Sequence, residues 1–264
     1  MSVLKLEGVS KSFGTSEGGR VTALQDVSLT VNTGEFVSII GPSGCGKSTL
    51  FNIISGLITE FDGQVSVDGE TIKGPHGHIG SVFQEESTLP WRTALRNVEL
   101  PLEIAGVPKA ERAARARGLI KLVGLEGFEN RHPADLSGGM KQRIAIARTL
   151  AFEPRILLMD EPFGALDEQT RFLLGDKILQ IWREIRQTTL LITHSIAEAV
   201  QMSDRVVVMS YRPGRIMRII GIDLPRPRSS EVMESDKFGA YVSQIWRDLR
   251  IEASRGMEDY ESHV

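Results

Sequence analysis

Phe36-Val-Ser-Ile-Ile40 runs straight into Gly41-Pro-Ser-Gly-Cys-Gly-Lys-Ser-Thr49, and a helical segment, Ser48 to Gly56, follows at once. The first piece is a compact apolar run without clean alternation, as expected of a strand covered on both faces. The second matches the spacing G-x-x-x-x-G-K-[ST] in the strand-then-helix context that gives the motif its meaning. Glycines let the backbone curl until successive N–H groups point inward, and the helix start adds the positive end of its dipole. Gly41, Pro42, Ser43, Gly44, Cys45, Gly46, Lys47, Ser48 and Thr49 therefore form a candidate phosphate-binding loop. Lys47 is expected to reach the β and γ phosphates, and Ser48 to hold Mg²⁺. Cys45 reads as a small filler whose backbone N–H matters, since a nucleophilic role needs an activating base that the sequence does not supply.

Working outward, Arg155 to Met159, Thr189 to Thr193 and Arg205 to Met209 are apolar runs of the same kind, expected as parallel strands. Val3 to Glu7, Val27 to Val31 and Gln64 to Val67 instead place apolar residues two apart, and Asp68-Gly69 reads as a hairpin turn, so an antiparallel layer is expected there. Helical segments are expected over Lys109 to Val123, Gly139 to Phe152, Gln169 to Arg186 and Ile196 to Met202. The stretch from about Glu85 to Leu136 has no strand signal; with the helix after it, it makes a helical insertion of about residues 85–151. The fold class is α/β: a P-loop NTPase core with an antiparallel β layer and an inserted helical subdomain.

The 264 residues, 41% of them apolar, suffice for a buried core, and a net charge of −3 gives no global attraction to nucleic acid or an anionic membrane. One cysteine excludes an internal disulfide framework and fits a reducing compartment. Lys5 and Glu7 interrupt any secretory signal, and no charge-free stretch is long enough to cross a bilayer of about 30 Å, so a soluble or peripheral protein is expected. Arg112, Arg115, Arg117 and Lys121 read as a solvated helix face without the aromatic residues of a nucleic-acid platform. His76, His78 and His132 lack ligand spacing for zinc. Leu224 to Ser230, with two prolines and two serines, reads as a linker without regular structure, and residues 1–228 are expected to form the main domain. Residues 229–264 are expected to form a linker and a short amphipathic helix whose stripe, Phe238 to Leu249, packs on the domain or on a membrane.

Two further stretches carry chemistry. Ile156-Leu-Leu-Met-Asp160-Glu161 is a buried strand ending in two carboxylates, a costly placement unless they have a task. Asp160 can bind Mg²⁺ directly or through water, while Glu161 can polarise an attacking water. Leu136-Ser137-Gly138-Gly139-Met140 opens a helix with a serine and two glycines, which makes a second anion site that lacks a lysine.

The combination of GPSGCGKST, LSGGMKQR, ILLMDEP, the aspartate of GALD and the histidine of LLITH resembles the nucleotide-binding subunit of ABC transporters, over about residues 3 to 228. The resemblance implies an ATPase using ATP and Mg²⁺, in which two domains pair head to tail and sandwich two ATP molecules. On that basis Ser137, Gly138 and Gly139 bind γ-phosphate in trans, Gln84 senses Mg²⁺, and His194 contacts γ-phosphate with Glu161 and Lys47 in catalysis. Asp167 fits the loop crossing the dimer interface. Phe13 matches the aromatic that stacks on adenine, with core packing as the other reading. Met140, Lys141 and Ser195 depart from the family pattern, but none supplies a phosphate ligand in it, so tuning rather than loss of activity is expected.

Leu89-Pro-Trp-Arg-Thr93 and Leu224-Pro-Arg-Pro-Arg228 look like the nitrate, sulfonate and taurine group of bacterial importers. The implied partners are transmembrane permease subunits, a second ABC ATPase copy and, indirectly, a periplasmic or lipoprotein solute-binding protein, with the chain peripheral on the cytoplasmic face of the membrane. Trp91 reads either as an anchor for a membrane subunit or as core filler. The ATPase of an exporter or lipid-moving complex, or a non-transport ABC ATPase, are the alternatives.

Overall fold

Alternation near the N-terminus becomes a four-stranded antiparallel sheet. The computed structural model describes residues 2–15, 18–84, 87–164 and 187–261, with 175, 176, 178–180, 182 and 183 between them. Strands β1 (Ser2–Gly14) and β2 (Arg20–Asn32) are longer than their apolar alternation suggests, because bulges let them continue past each break in register. β4 (Asp62–Val67) pairs with β1, and β5 (Glu70–Thr71) folds back on β4 through Asp68 and Gly69, both at positive φ as a two-residue hairpin turn requires.

The apolar runs form the second kind of sheet. β3 (Phe36–Ile40) lies between β8 (Thr188–Ile192) and β9 (Arg205–Met209), parallel to both, and β10 (Ile216–Gly221) adds an antiparallel edge to β9. Every residue of β3 and β8 is buried, which explains their lack of alternation. Helix α1 (Lys47–Ile54) follows β3, and α5 (Ile196–Met202) follows β8.

These elements belong to one compact unit, residues 1–76 with 187–264; residues 77–186 make a second. In the second, β6 (Ile79–Val82) and β7 (Ile156–Asp160) pair in parallel, and α2 (Ala94–Ile104), α3 (Lys109–Leu122) and α4 (Gly138–Ala151) pack on one another. No strand interrupts the described residues between 87 and 151, as expected of a helical insertion. Of the helix expected over Gln169 to Arg186, only the seven positions named above are described, and they are helical.

The C-terminal stretch is tied down more firmly than its composition suggests. After the short α6 (Ser230–Met233), α7 (Asp236–Glu261) runs for 26 residues and buries Phe238 and Ile245 among Val200, Ile220, Ile222 and Leu224. Arg228, expected in an irregular linker, is 2% exposed. Its guanidinium donates to the carbonyls of Val200, Gln201, Ser203 and Ile222, closing the C-terminal end of α5. Burial, helped by the Arg226 charge, holds its pKa down to about 10, so it stays charged at neutral pH. Among the described residues no helix is long and apolar enough to cross a membrane.

Candidate functional site

The phosphate loop is built by the end of β3. Ile40 is buried, the chain curls through Gly41 to Gly46, and α1 starts at Lys47. Gly46 has φ 98°, and a β-carbon there would stand 2.7 Å from the Ala23 carbonyl oxygen, so only glycine fits. Lys47 is buried inside the curl, its Nζ donating to the carbonyls of Gly41 at 2.8 Å and Pro42 at 2.9 Å. Burial pushes the Cys45 thiol up in pKa against the opposing Lys47 charge, which keeps it a packed, unreactive thiol as its filler reading requires. Ser43, Gly44 and Ser48 are exposed, while Pro42 and Thr49 are partly so.

The same unit carries two further candidates. Phe13 is 41% exposed near the end of β1 with the Lys11 ammonium 5.2 Å from its ring centroid, so it is not core packing and its ring is available to a flat ligand. His194 is exposed just beyond β8. Ser195, noted only as a departure from the family pattern, is the N-cap of α5: its Oγ accepts from Glu198 N at 3.3 Å. Serine followed three residues later by glutamate is capping-box spacing, so this role was readable.

The second unit holds the rest. Asp160 ends β7 as a buried carboxylate, and Glu161 next to it has φ 44°. That left-handed backbone costs a non-glycine residue roughly 1–3 kcal/mol and concentrates at functional positions. Gln84 Nε2 donates to Glu161 Oε2 at 3.3 Å, joining two residues 77 positions apart. Ser137 caps α4, its Oγ accepting from Met140 N at 3.3 Å. Gly139 is buried, whereas Gly138 is exposed and a β-carbon on it would meet nothing within 4 Å. Asp167 lies outside the described residues.

Three side chains of this unit escaped the sequence reading. Buried Asn97 accepts from Leu89 N at 2.8 Å and donates to the carbonyls of Leu89, Arg92 and Thr93, so it shapes the Leu89 to Thr93 segment from which Trp91 projects, 71% exposed. Arg148 donates to the carbonyl and hydroxyl of Ser87 at 2.7 and 2.8 Å, fixing the chain shortly after Gln84. Arg143 reaches back to the carbonyls of Val123 and Gly124. Burial lowers the pKa of both arginines. No local motif announces these long-range contacts.

Ser48, Gln84 and Asp160 offer hard oxygen donors, and the described residues hold no group of three His, Cys, Asp or Glu side chains able to cage an ion. Oxygen donors of this kind suit Mg²⁺, which keeps several waters and leans on one carboxylate plus substrate phosphates, rather than zinc.

Comparison with known proteins follows the same outline. The ABC transporter family profile matches residues 24–164, a span that includes the loop, Gln84, Ser137 to Gly139 and the acidic pair. The chain is 48% identical to an aliphatic sulfonates import ATP-binding protein of Bacillus licheniformis, covering 83% of this chain and 84% of that one. It is 46% identical to a taurine import ATP-binding protein of Pseudomonas aeruginosa, covering 86% of each. A nitrate import ATP-binding protein of Synechocystis is 43% identical, covering 94% and 95%. Among solved structures, a dimeric, post-hydrolysis ATP-binding cassette bound to ADP and Pi superposes with a TM-score of 0.74 at 37% identity, covering 83% of this chain and 98% of that one.

Proposed function

Since the chain belongs to the ABC transporter family as an ATP-binding subunit that hydrolyses ATP, we propose that it powers uptake of a small sulfonate, taurine or nitrate. It works from the cytoplasmic face of a membrane as one of two head-to-tail ATPase copies bound to permease subunits. A solute-binding protein delivers the solute to that permease on the opposite face. The observation that carries the reading is the contrast between two helix starts. One holds a buried lysine inside a glycine loop, while the other is capped by Ser137 and presents Ser137 and Gly138 to solvent at the start of α4. An anion site of the second kind is best used by a phosphate that another copy already holds.

In this reading the loop N–H groups and Lys47 bind the β and γ phosphates, and Phe13 stacks on the adenine. Glu161, held in place by Gln84, takes a proton from the water that attacks γ-phosphorus as ADP leaves, and His194 hydrogen-bonds the γ-phosphate. Ser48, Gln84 and Asp160 would hold Mg²⁺, which supplies neutralisation of the charge developing on the phosphate oxygens. Asp167 belongs to the surface that meets the second copy. The exposed Trp91 on its Asn97-braced segment is the anchor for a permease helix.

The test is transport itself. The complex purified with its membrane subunits, reconstituted in liposomes and supplied with its solute-binding protein on the face opposite the ATPase, should move labelled nitrate, taurine or an alkanesulfonate toward the ATPase side, and only with ATP on that side. ATP-driven movement in the opposite direction, or transport of none of the three, contradicts the import assignment.

A further inference from the structure

Ser210-Tyr211-Arg212-Pro213-Gly214-Arg215 joins β9 to β10 and packs on the phosphate loop. A β-carbon on Gly214 would lie 2.0 Å from the Cys45 carbonyl oxygen, and one on Gly41 would lie 3.2 Å from that of Met209, so the two backbones touch. The turn is braced throughout. Ser210 Oγ donates to Pro213 O and accepts from Arg215 N, both at 2.9 Å. Gly214 N donates to Ala23 O at 2.9 Å, Gln25 N donates to Gly214 O at 3.0 Å, and the Arg215 guanidinium is spent on Gln25 Oε1.

A second brace comes from the C-terminal helix. Tyr211 N donates at 2.9 Å to Oε2 of Glu252, a carboxylate of α7 that is 1% exposed and also accepts from Arg255 at 2.6 Å. One turn further along α7, Gly256 leaves room for the Tyr211 ring, which a β-carbon there would approach to 2.9 Å.

Arg212 stands apart from this bracing. Its side chain is exposed and makes no hydrogen bond or ion pair among the described residues, yet its Nη2 lies 3.4 Å from where a β-carbon on Gly44 would stand. Lys47 occupies the inside of the loop and Arg212 its outer rim. A triphosphate carries more negative charge than one lysine and a divalent ion neutralise, and a guanidinium fork matches phosphate oxygens geometrically.

We propose that Arg212 is a second cationic ligand of the bound nucleotide's phosphate chain, and that Glu252 is the positioning residue through which α7 holds it at the rim of the loop. The inference rests on the reading of Gly41 to Thr49 as the ATP loop. An arginine at a loop tip can instead be merely solvated, or can face the second ATPase copy, and the experiment separates these cases.

Equilibrium titrations of the full chain with a non-hydrolysable ATP analogue, ADP and AMP, all with Mg²⁺, should be run on the parent, Arg212→Ala, Arg212→Lys, Glu252→Ala, Glu252→Gln and Lys47→Ala. Arg212→Ala should weaken the triphosphate about tenfold, as loss of one charge-assisted contact at an exposed site does. ADP should suffer less, AMP should be unaffected, and Arg212→Lys should recover most of the loss. Glu252→Ala should shift affinities in the same order, and Glu252→Gln, which still accepts from Tyr211 N, should restore them. In steady state both losses should appear in KM for ATP more than in kcat.

Parent-like triphosphate affinity in Arg212→Ala, with binding abolished in Lys47→Ala, overturns the proposal and leaves the loop reading standing. Equal weakening of all three nucleotides means a distorted loop and also overturns it. Intact nucleotide affinity with lost ATP-dependent dimerisation assigns the guanidinium to the second copy instead. Normal binding by Lys47→Ala removes the loop reading itself, and Arg212 with it.

Discussion

At Lys47 a single cation is buried and satisfied by two carbonyls of its own loop, which in the proposed site it exchanges for phosphate oxygens. Lys47→Ala removes charge-assisted contacts worth about 1.5–3 kcal/mol each. Steady-state ATP hydrolysis should then fall to background while the circular dichroism spectrum is kept; undiminished ATPase activity in that variant would take Lys47 out of the site. This residue was legible in the sequence because its strand, loop and helix are consecutive and the motif carries its own context. Glu161 was legible as half of an acidic pair, but its left-handed backbone was not, since nothing local marks a φ of 44°. The Gln84 to Glu161 hydrogen bond spans 77 positions, and such contacts follow from the fold alone. Phe13 and Trp91 each had two readings because an aromatic residue serves core and surface equally well; their exposure favours ligand and partner contact.

The Leu89 to Thr93 segment shows how an element presents a residue. Asn97, one turn into α2, binds that segment through both ends of its amide, and the indole of Trp91 is left to solvent. Trp91→Ala should reduce co-purification with the permease while leaving the isolated subunit's melting temperature nearly unchanged. Asn97→Ala should lower it, because the lost buried hydrogen bonds strand their partners at about 1–3 kcal/mol, and each kcal/mol is roughly 2–4 °C in a chain of this size. A large fall in melting temperature for Trp91→Ala with normal assembly contradicts the anchor role. At this scale the parallel strands, the antiparallel layer and the Asp68-Gly69 hairpin were readable from periodicity. β10 was not: its Met217 and Ile219 face outward around Arg218, so pairing with β9 rather than burial makes it a strand. The stretch around Arg228 read as a linker because two prolines hide a buried arginine whose partners lie in α5 and just beyond β10.

For the whole molecule, the candidate residues divide between two compact units, with Lys47 and His194 in one and Gln84, Ser137, Asp160 and Glu161 in the other. The fold class was legible because helices and strands alternate with distinct periods. The proposed pairing with a second copy rests in the sequence on the capped helix start at Ser137 and on Asp167, which the family resemblance assigns to the interface loop. The central claim is that this chain hydrolyses ATP in a site completed by a second copy, and Glu161→Gln tests both halves at once. Glutamine keeps an oxygen for Gln84 Nε2 but cannot take a proton from water, a loss that typically costs about 10²–10⁴ in rate while ATP still binds. Sedimentation of Glu161→Gln with Mg-ATP should show a dimer held by uncleaved nucleotide, and adding Ser137→Arg, which crowds the second anion site, should return it to monomer. Hydrolysis at the parent rate, or a monomer at saturating ATP both in isolation and in the transporter complex, would contradict the account.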